Sequence, residues 1–368
     1  MRWIDLIHRW AGGLIGLLLA TLGLTGAILV FKDQWLRGLP GATDAPRQDV
    51  ATLSAQAQAA FGGEAPATSI LFPTDGFGLA RLSTGKGAGA YADQAGQVVT
   101  RWSSKWERFE LWLFDLHHYL LFGDAGKTVA GIAGLIGIGF VVTGAILWWR
   151  TRRSFRWRLV PRRMSRPAIV THHRDLGIVF APLLFLSMSS GMLMVLKPIS
   201  GAVFAPGQGS AALTAPFAPP DRRGGALAAS PDWRAMIAAA QVRFPGAEIR
   251  AIALPRKAGD LIQMRLRQPA EWLPNGRTLM WFRPEDGRVV DARDAQAMPT
   301  GVRASNAVYP IHAAKVGSWP WKIAIAATGL ALTMLGSLSV WTFWFRRGPS
   351  RPGRRVASRP AARRVRAG

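Results

Sequence analysis

The sequence predicts an α-helical membrane protein in which four transmembrane helices form two parallel repeats, each carrying a small α+β domain outside the membrane. Three observations carry this reading. Four long uncharged segments interrupt a chain of 368 residues that otherwise bears a formal charge of +25. Histidines stand at the same offsets from small residues in both halves, and a helix-then-strands pattern recurs between the segments of each half.

The uncharged segments lie between Arg9 and Lys32, Lys127 and Arg150, Asp175 and Lys197, and Lys322 and Arg346, each 21 to 23 residues long. About 20 apolar residues cross a hydrocarbon core of roughly 30 Å, and charges at both ends of each segment argue against buried helices of a soluble core. Orientation follows from Arg and Lys near the helix ends. Eight Arg and no acid lie from Arg150 to Arg166, and nine Arg and no acid from Arg346 onward. Both stretches read as cytoplasmic, so both termini lie inside. Their place beside helix ends favours anchoring at a lipid surface over nucleic acid. The first segment is longer than the apolar run of a signal peptide and lacks a convincing cleavage site, so it reads as an uncleaved anchor. The absence of Cys excludes disulfides, thiolate zinc sites and cysteine-ligated clusters.

The histidines act as rulers for the repeat. His8 is followed by Gly12, Thr25 and Gly26, and His173 by Gly177, Ser190 and Gly191, at offsets of 4, 17 and 18 in both cases. From His117, Lys127, Gly134 and Trp149 fall at 10, 17 and 32, as Lys322, Gly329 and Trp344 do from His312. Between the spans, "AQAAFGGEAPATSILFP" resembles "AAQVRFPGAEIRAIALP", and "YADQAGQVV" resembles "FRPEDGRVV". An Ala-rich helix, a Gly turn and alternating apolar residues read as one helix on a small antiparallel sheet. The boundaries that follow are 1–31 for the N-terminus and first span, 32–104 for the first outer domain, 105–126 for an amphipathic helix at the membrane surface and 127–149 for the second span. A basic loop (150–171), the third span (172–196), a Pro- and Gly-rich linker (197–229), a second outer domain (230–303), a segment with the fourth span (304–345) and a basic tail (346–368) complete the chain.

Four repeat-matched histidines in two layers suggest chemistry. His8 and His173 open helices that start inside; His117 and His312 precede helices that start outside. Facing imidazoles are what a six-coordinate b-type haem needs, without Cys. The alternatives are another metal held by the same residues, or structure alone; His118 and His172 read as polar caps. Arg9 and Arg174 beside the inner pair, and Lys127 and Lys322 near the outer pair, are candidate partners of haem propionates or, more blandly, cations snorkelling to the interface. Gly12, Gly16 and "GIAGLIGIG" suit close helix packing, and the Trp residues at segment ends an interfacial belt. No dinucleotide fingerprint, Walker loop or HExxH occurs, so electrons for redox work must come from outside the chain.

The plan resembles the PepSY-associated transmembrane family: "HRWAGGLIGLLLATLGLTGAILVF", "DLHHYLLFGDAGK", "HRDLG" and "PIHAAKVGSWPWK" stand in the family's order, with PepSY-like outer domains between them. The resemblance implies a bacterial inner-membrane protein holding two haem b groups, on His8 with His173 and on His117 with His312. It implies a reductase that passes electrons from quinol or a cytoplasmic reductase to a periplasmic ferric siderophore and releases Fe(II). The alternatives are a PepSY membrane protein that binds a periplasmic partner or peptide, or a metal transporter.

Overall fold

The computed structural model describes residues 2–63 and 66–345; the basic tail from Arg346 onward lies outside the described residues. In the first half, helix α1 (Arg2–Leu29) leads through a single turn, α2 (Lys32–Trp35), to α3 (Val50–Gly62). Strands β1 (Ser69–Leu71), β2 (Ala80–Gly85), β3 (Ala88–Ala92) and β4 (Val98–Trp102) follow, then α4 (Phe109–Tyr119) and α5 (Gly123–Trp149). The second half runs α6 (Arg166–Val195), α7 (Lys197–Phe204), α8 (Trp233–Arg243), β5 (Glu248–Ala253), β6 (Ile262–Arg267), β7 (Thr278–Phe282), β8 (Val289–Arg293), α9 (Thr300–His312) and α10 (Ser318–Trp344). Helices α1, α5, α6 and α10 are each long and apolar enough to cross a membrane, and together with the sheet they make this a multi-pass membrane protein with an antiparallel sheet domain at one end of a four-helix bundle.

Glycines set how closely the long helices approach. Along the antiparallel pair α1 and α10, Gly16 faces Gly336 and Gly23 faces Gly329: a Cβ on Gly23 would stand 2.5 Å from the Gly329 carbonyl oxygen, and one on Gly16 would stand 2.9 Å from that of Gly336. Backbones touch there, which only residues without side chains permit. Between α5 and α6 the Met188 side chain lies over Gly137 and Val195 over Gly131. One seam is therefore backbone against backbone, the other side chain against backbone.

The two outer domains read from the sequence share one sheet. All eight strands are antiparallel in the order β4-β3-β2-β1-β5-β6-β7-β8, and the halves meet where Ile70 of β1 pairs with Ile252 of β5. Each four-stranded meander would otherwise end in an unpaired edge, whose free N–H and C=O groups invite pairing. A single core follows, with Leu53 and Ala57 of α3 and Ile237 and Ala240 of α8 packed over Ile70, Ile252, Ile262 and Met264. The fully buried Arg250 also spans the join, donating to the carbonyls of Phe72 and Pro73; burial lowers its pKa to about 10.

Three segments differ from the sequence reading. The stretch taken as a linker begins with α7, and α9 precedes the fourth span as a full helix despite Pro310 inside it. Both pack against the end of α6, so tertiary contact offsets weak local propensity. Helix α4 does not simply rest at a surface: it docks on α1 and α5, and its buried Glu110 accepts from Tyr91 of the sheet and pairs with Arg108. It bridges sheet and bundle.

Candidate functional site

Each of the four repeat-matched histidines meets its ruler partner. His8 lies in the second turn of α1 and His173 in the second turn of α6, so both project into the bundle at the end away from the sheet. Their imidazole centroids are 6.2 Å apart with planes at 88°. His117 comes from the end of α4 and His312 is the last residue of α9. These short helices dip into the sheet end of the bundle, where the two imidazole centroids are 6.3 Å apart with planes at 43°. From His8 to Thr25, which contacts His117, α1 advances 17 residues, so at 1.5 Å per residue the layers are about 25 Å apart.

Every one of the four Nδ1 atoms meets a hydroxyl on a long helix. His8 Nδ1 is 2.8 Å from Thr143 Oγ1, His173 Nδ1 is 3.3 Å from Ser339 Oγ, and His117 and His312 Nδ1 are each 2.9 Å from Thr25 Oγ1 and Ser190 Oγ respectively. Gly26 and Gly191, the residues after two of those hydroxyls, leave room for the rings: a Cβ there would approach His117 Cε1 to 3.0 Å and His312 Cε1 to 3.2 Å. Burial holds the His117 and His312 imidazoles well below the ordinary histidine value, so both are neutral at pH 7. The turn after His117 is strained: Leu120 and Leu121 adopt φ of 49° and 66°, the left-handed region that costs non-glycine residues energy. The strain reverses the chain at once into α5, keeping α4 short and its histidine at the bundle's end.

The spacing of each pair suits one metal between two rings. With a metal–imidazole bond of about 2.0 Å and the ring centre about 1.1 Å behind the nitrogen, two imidazoles that held one metal between them would have centroids roughly 6.2 Å apart. Both pairs lie at that separation before any group is placed between them. At the far layer, a cavity of about 460 Å³ reaches from His8 and His173 down to Leu19, Met188 and Leu332. Glycines at 12, 16, 137, 144, 177 and 336 form much of its wall, and Asp5, Arg9, Arg166 and Arg174 stand at its mouth. A flat apolar macrocycle with anionic tails matches that chemistry, because apolar walls take the ring and cations take the carboxylates.

The flanking cations are not equivalent. Arg9 forms a loose, half-exposed pair with Asp5 at 3.5 Å. Arg174 is fully engaged, donating from Nε to the buried Asp175 at 2.8 Å and from its two terminal nitrogens to Ser154 at 2.7 and 2.9 Å. Asp175 also accepts from Arg158 at 3.0 Å; together with His172, whose Nε2 lies 3.0 Å from the Leu159 carbonyl, these contacts strap the basic loop onto α6. Near the other layer Lys127 lies over Tyr119 and Lys322 over Trp319, at 5.9 and 5.5 Å from the ring centroids. Lys315 pairs there with Asp33 at 2.7 Å; although burial opposes it, this ion pair holds the Asp33 carboxyl below the usual range. His118 stacks on Phe114 and has no facing imidazole.

Asp175, Thr143 and Ser339 carry no functional signal in the sequence. Thr25 and Ser190 served only as ruler marks, though their shared offset from His8 and His173 was the available signal. A family model described as the PepSY-associated TM region matches residues 6–347. No curated protein matches the chain.

Proposed function

The chain belongs to the PepSY-associated TM family, and on that premise we propose that it is a di-haem b protein of the inner membrane that carries electrons outward to a periplasmic ferric chelate of the siderophore class. The observation that supports this best is the pair of centroid separations, 6.2 and 6.3 Å, each of which would let two imidazoles hold one iron between them. Each pair supplies two ligands, the number a porphyrin leaves open. Bound haem supplies one-electron exchange between Fe(III) and Fe(II). His8 and His173 hold the inner group and His117 and His312 the outer, with Arg9 and Arg166 facing its carboxylates at the inner mouth. The glycine-lined wall admits a flat ring, and the apolar floor at Leu19, Met188 and Leu332 keeps water from the centre of the bundle.

In this reading both termini face the cytoplasm, the sheet is periplasmic, and quinol or a cytoplasmic reductase supplies one electron for each Fe(III) reduced to Fe(II). Reduction weakens binding by hard oxygen ligands and frees the metal. Absorption spectra of protein expressed with ample haem test the premise: Soret and α bands at two haems per chain are expected, and their absence sinks the reading. His173→Ala removes about half of the haem, whereas His172→Ala leaves it; equal loss in both refutes the ligand assignment. Fe(II) trapped outside sealed vesicles loaded with an internal reductant is the expected activity, while metal uptake without reduction would favour transport.

A further inference from the structure

We propose that Thr25, Thr143, Ser190 and Ser339 are positioning residues that lock the four paired histidines in one tautomer, with the proton on Nδ1 and the Nε2 lone pair left bare. The number of protons available fixes the direction of each contact. A hydroxyl has one, and each of these four already points it at the carbonyl one helical turn back: Thr25 to Thr21, Thr143 to Gly139, Ser190 to Leu186 and Ser339 to Leu335, all at 2.7 Å. Only lone pairs remain on the oxygen for the histidine, so the imidazole Nδ1–H must be the donor. For His312 a second acceptor leads to the same result: its Nδ1 is also 3.1 Å from the Ser187 carbonyl, which can only accept. A neutral imidazole carries one N–H; with that proton on Nδ1, Nε2 is an unprotonated ligand atom.

The neighbour of His173 shows that this is not the default. His172 donates from Nε2 to the Leu159 carbonyl, and its buried Nδ1 has no partner among the described residues. Adjacent histidines therefore carry their protons on opposite nitrogens. A helix hydroxyl also suits the setting, since a carboxylate in the same role would place a charge inside the apolar bundle. Three of the seats are a hydroxyl followed by glycine, Thr25-Gly26, Thr143-Gly144 and Ser190-Gly191, and the ring edges of His117, His8 and His312 lie against those glycines. The fourth, Ser339, is followed by Val340 and has the longest contact, 3.3 Å. His173 is thus the least firmly held of the four.

The tautomer stands on these hydrogen bonds alone; the use of Nε2 for iron rests on the haem reading. Two measurements on the full-length protein separate them. Imidazole ¹⁵N resonances of haem-free protein at neutral pH are expected to show Nδ1–H for His117 and His312 and Nε2–H for His172. Thr25→Val is expected to move His117 out of the Nδ1–H form, and Thr25→Ser to retain it. Nε2–H at His117 and His312 in the wild type, or no change in Thr25→Val, overturns the proposal. In the second measurement, Thr25→Val lowers haem affinity about 10- to 100-fold, as loss of such a hydrogen-bond partner does at other metal sites, and Ser190→Ala lowers it less, because the Ser187 carbonyl still accepts from His312; thermal melting of the haem-free chain is unchanged and Thr25→Ser is near wild type. Wild-type affinity in both variants overturns the role while leaving the haem reading intact. A wild type with Nδ1–H but no haem bands removes the haem reading and leaves the tautomer lock.

Discussion

The two histidine layers reach nearly the same separation by different constructions. At the far end, His8 and His173 sit on two of the long helices, so bundle packing alone sets their distance. At the sheet end, His117 and His312 arrive on short helices that depend on other parts of the chain, α4 through Glu110 and Tyr91 and α9 through the Lys315–Asp33 pair just beyond it. One layer is a property of the bundle, and the other of the bundle with its sheet docked. Damage to the bundle should therefore cost both, and damage to the junction only one.

The largest expected effect comes from the α1–α10 seam. Gly329→Leu places a side chain where a Cβ alone would meet the Gly23 carbonyl at 2.5 Å. Such overpacking costs about 3 kcal/mol and should abolish both layers, read as loss of the monodisperse protein and of the two proposed haems. Gly139→Leu on α5, where a Cβ has open space, is the control and should keep both. If Gly329→Leu retains the sheet-end layer alone, the dependence of both layers on the bundle is broken.

Asp33→Ala should act on the sheet end selectively. It leaves Lys315 partly buried and unpaired, at a cost of about 1–3 kcal/mol, and should weaken the His117–His312 layer while sparing His8–His173. Removing Lys315 as well should recover part of the loss, which a double-mutant cycle on melting temperature and haem content would read. A smaller effect follows from pH. Because the Asp33 carboxyl is held below the usual range, its contribution is fully present above the ordinary Asp value of about 3.9 and is lost as pH falls through its lower folded value. The melting difference between wild type and Asp33→Asn should be constant from neutral pH down to the ordinary Asp value and shrink only below it; a difference that changes between pH 6 and 8 would implicate another group. The smallest effect is expected of His118→Ala, which removes a ring stacked on Phe114 and should leave the binding of both proposed haems unchanged.

The spans were legible because each is an uninterrupted apolar run bounded by charge, a local property that any window reveals. The helix-plus-strands composition of the outer parts was legible for the same reason, through periodicity. The fusion of those parts into one sheet was not, because the pairing of Ile70 with Ile252 joins positions far apart in the chain and depends on which edges lie side by side. Helix α9 was hidden by its small and polar residues and Pro310. Among the candidate cations, Arg9 and Arg174 look alike beside their histidines in the sequence; only in three dimensions does Asp175 turn out to hold Arg174.

By itself the sequence determined four membrane-length helices and four histidines at matched offsets, since length, hydropathy and spacing need no partner to be defined. Tertiary structure decided how closely the rings face each other, which hydroxyl each Nδ1 meets, where the glycine-lined cavity opens and which nitrogen carries the proton. Those are relations between groups far apart in the chain, 195 residues for the rings of His117 and His312 and 166 for Ser339 and His173, and a hydrogen bond exists only once packing has brought donor and acceptor to the same place.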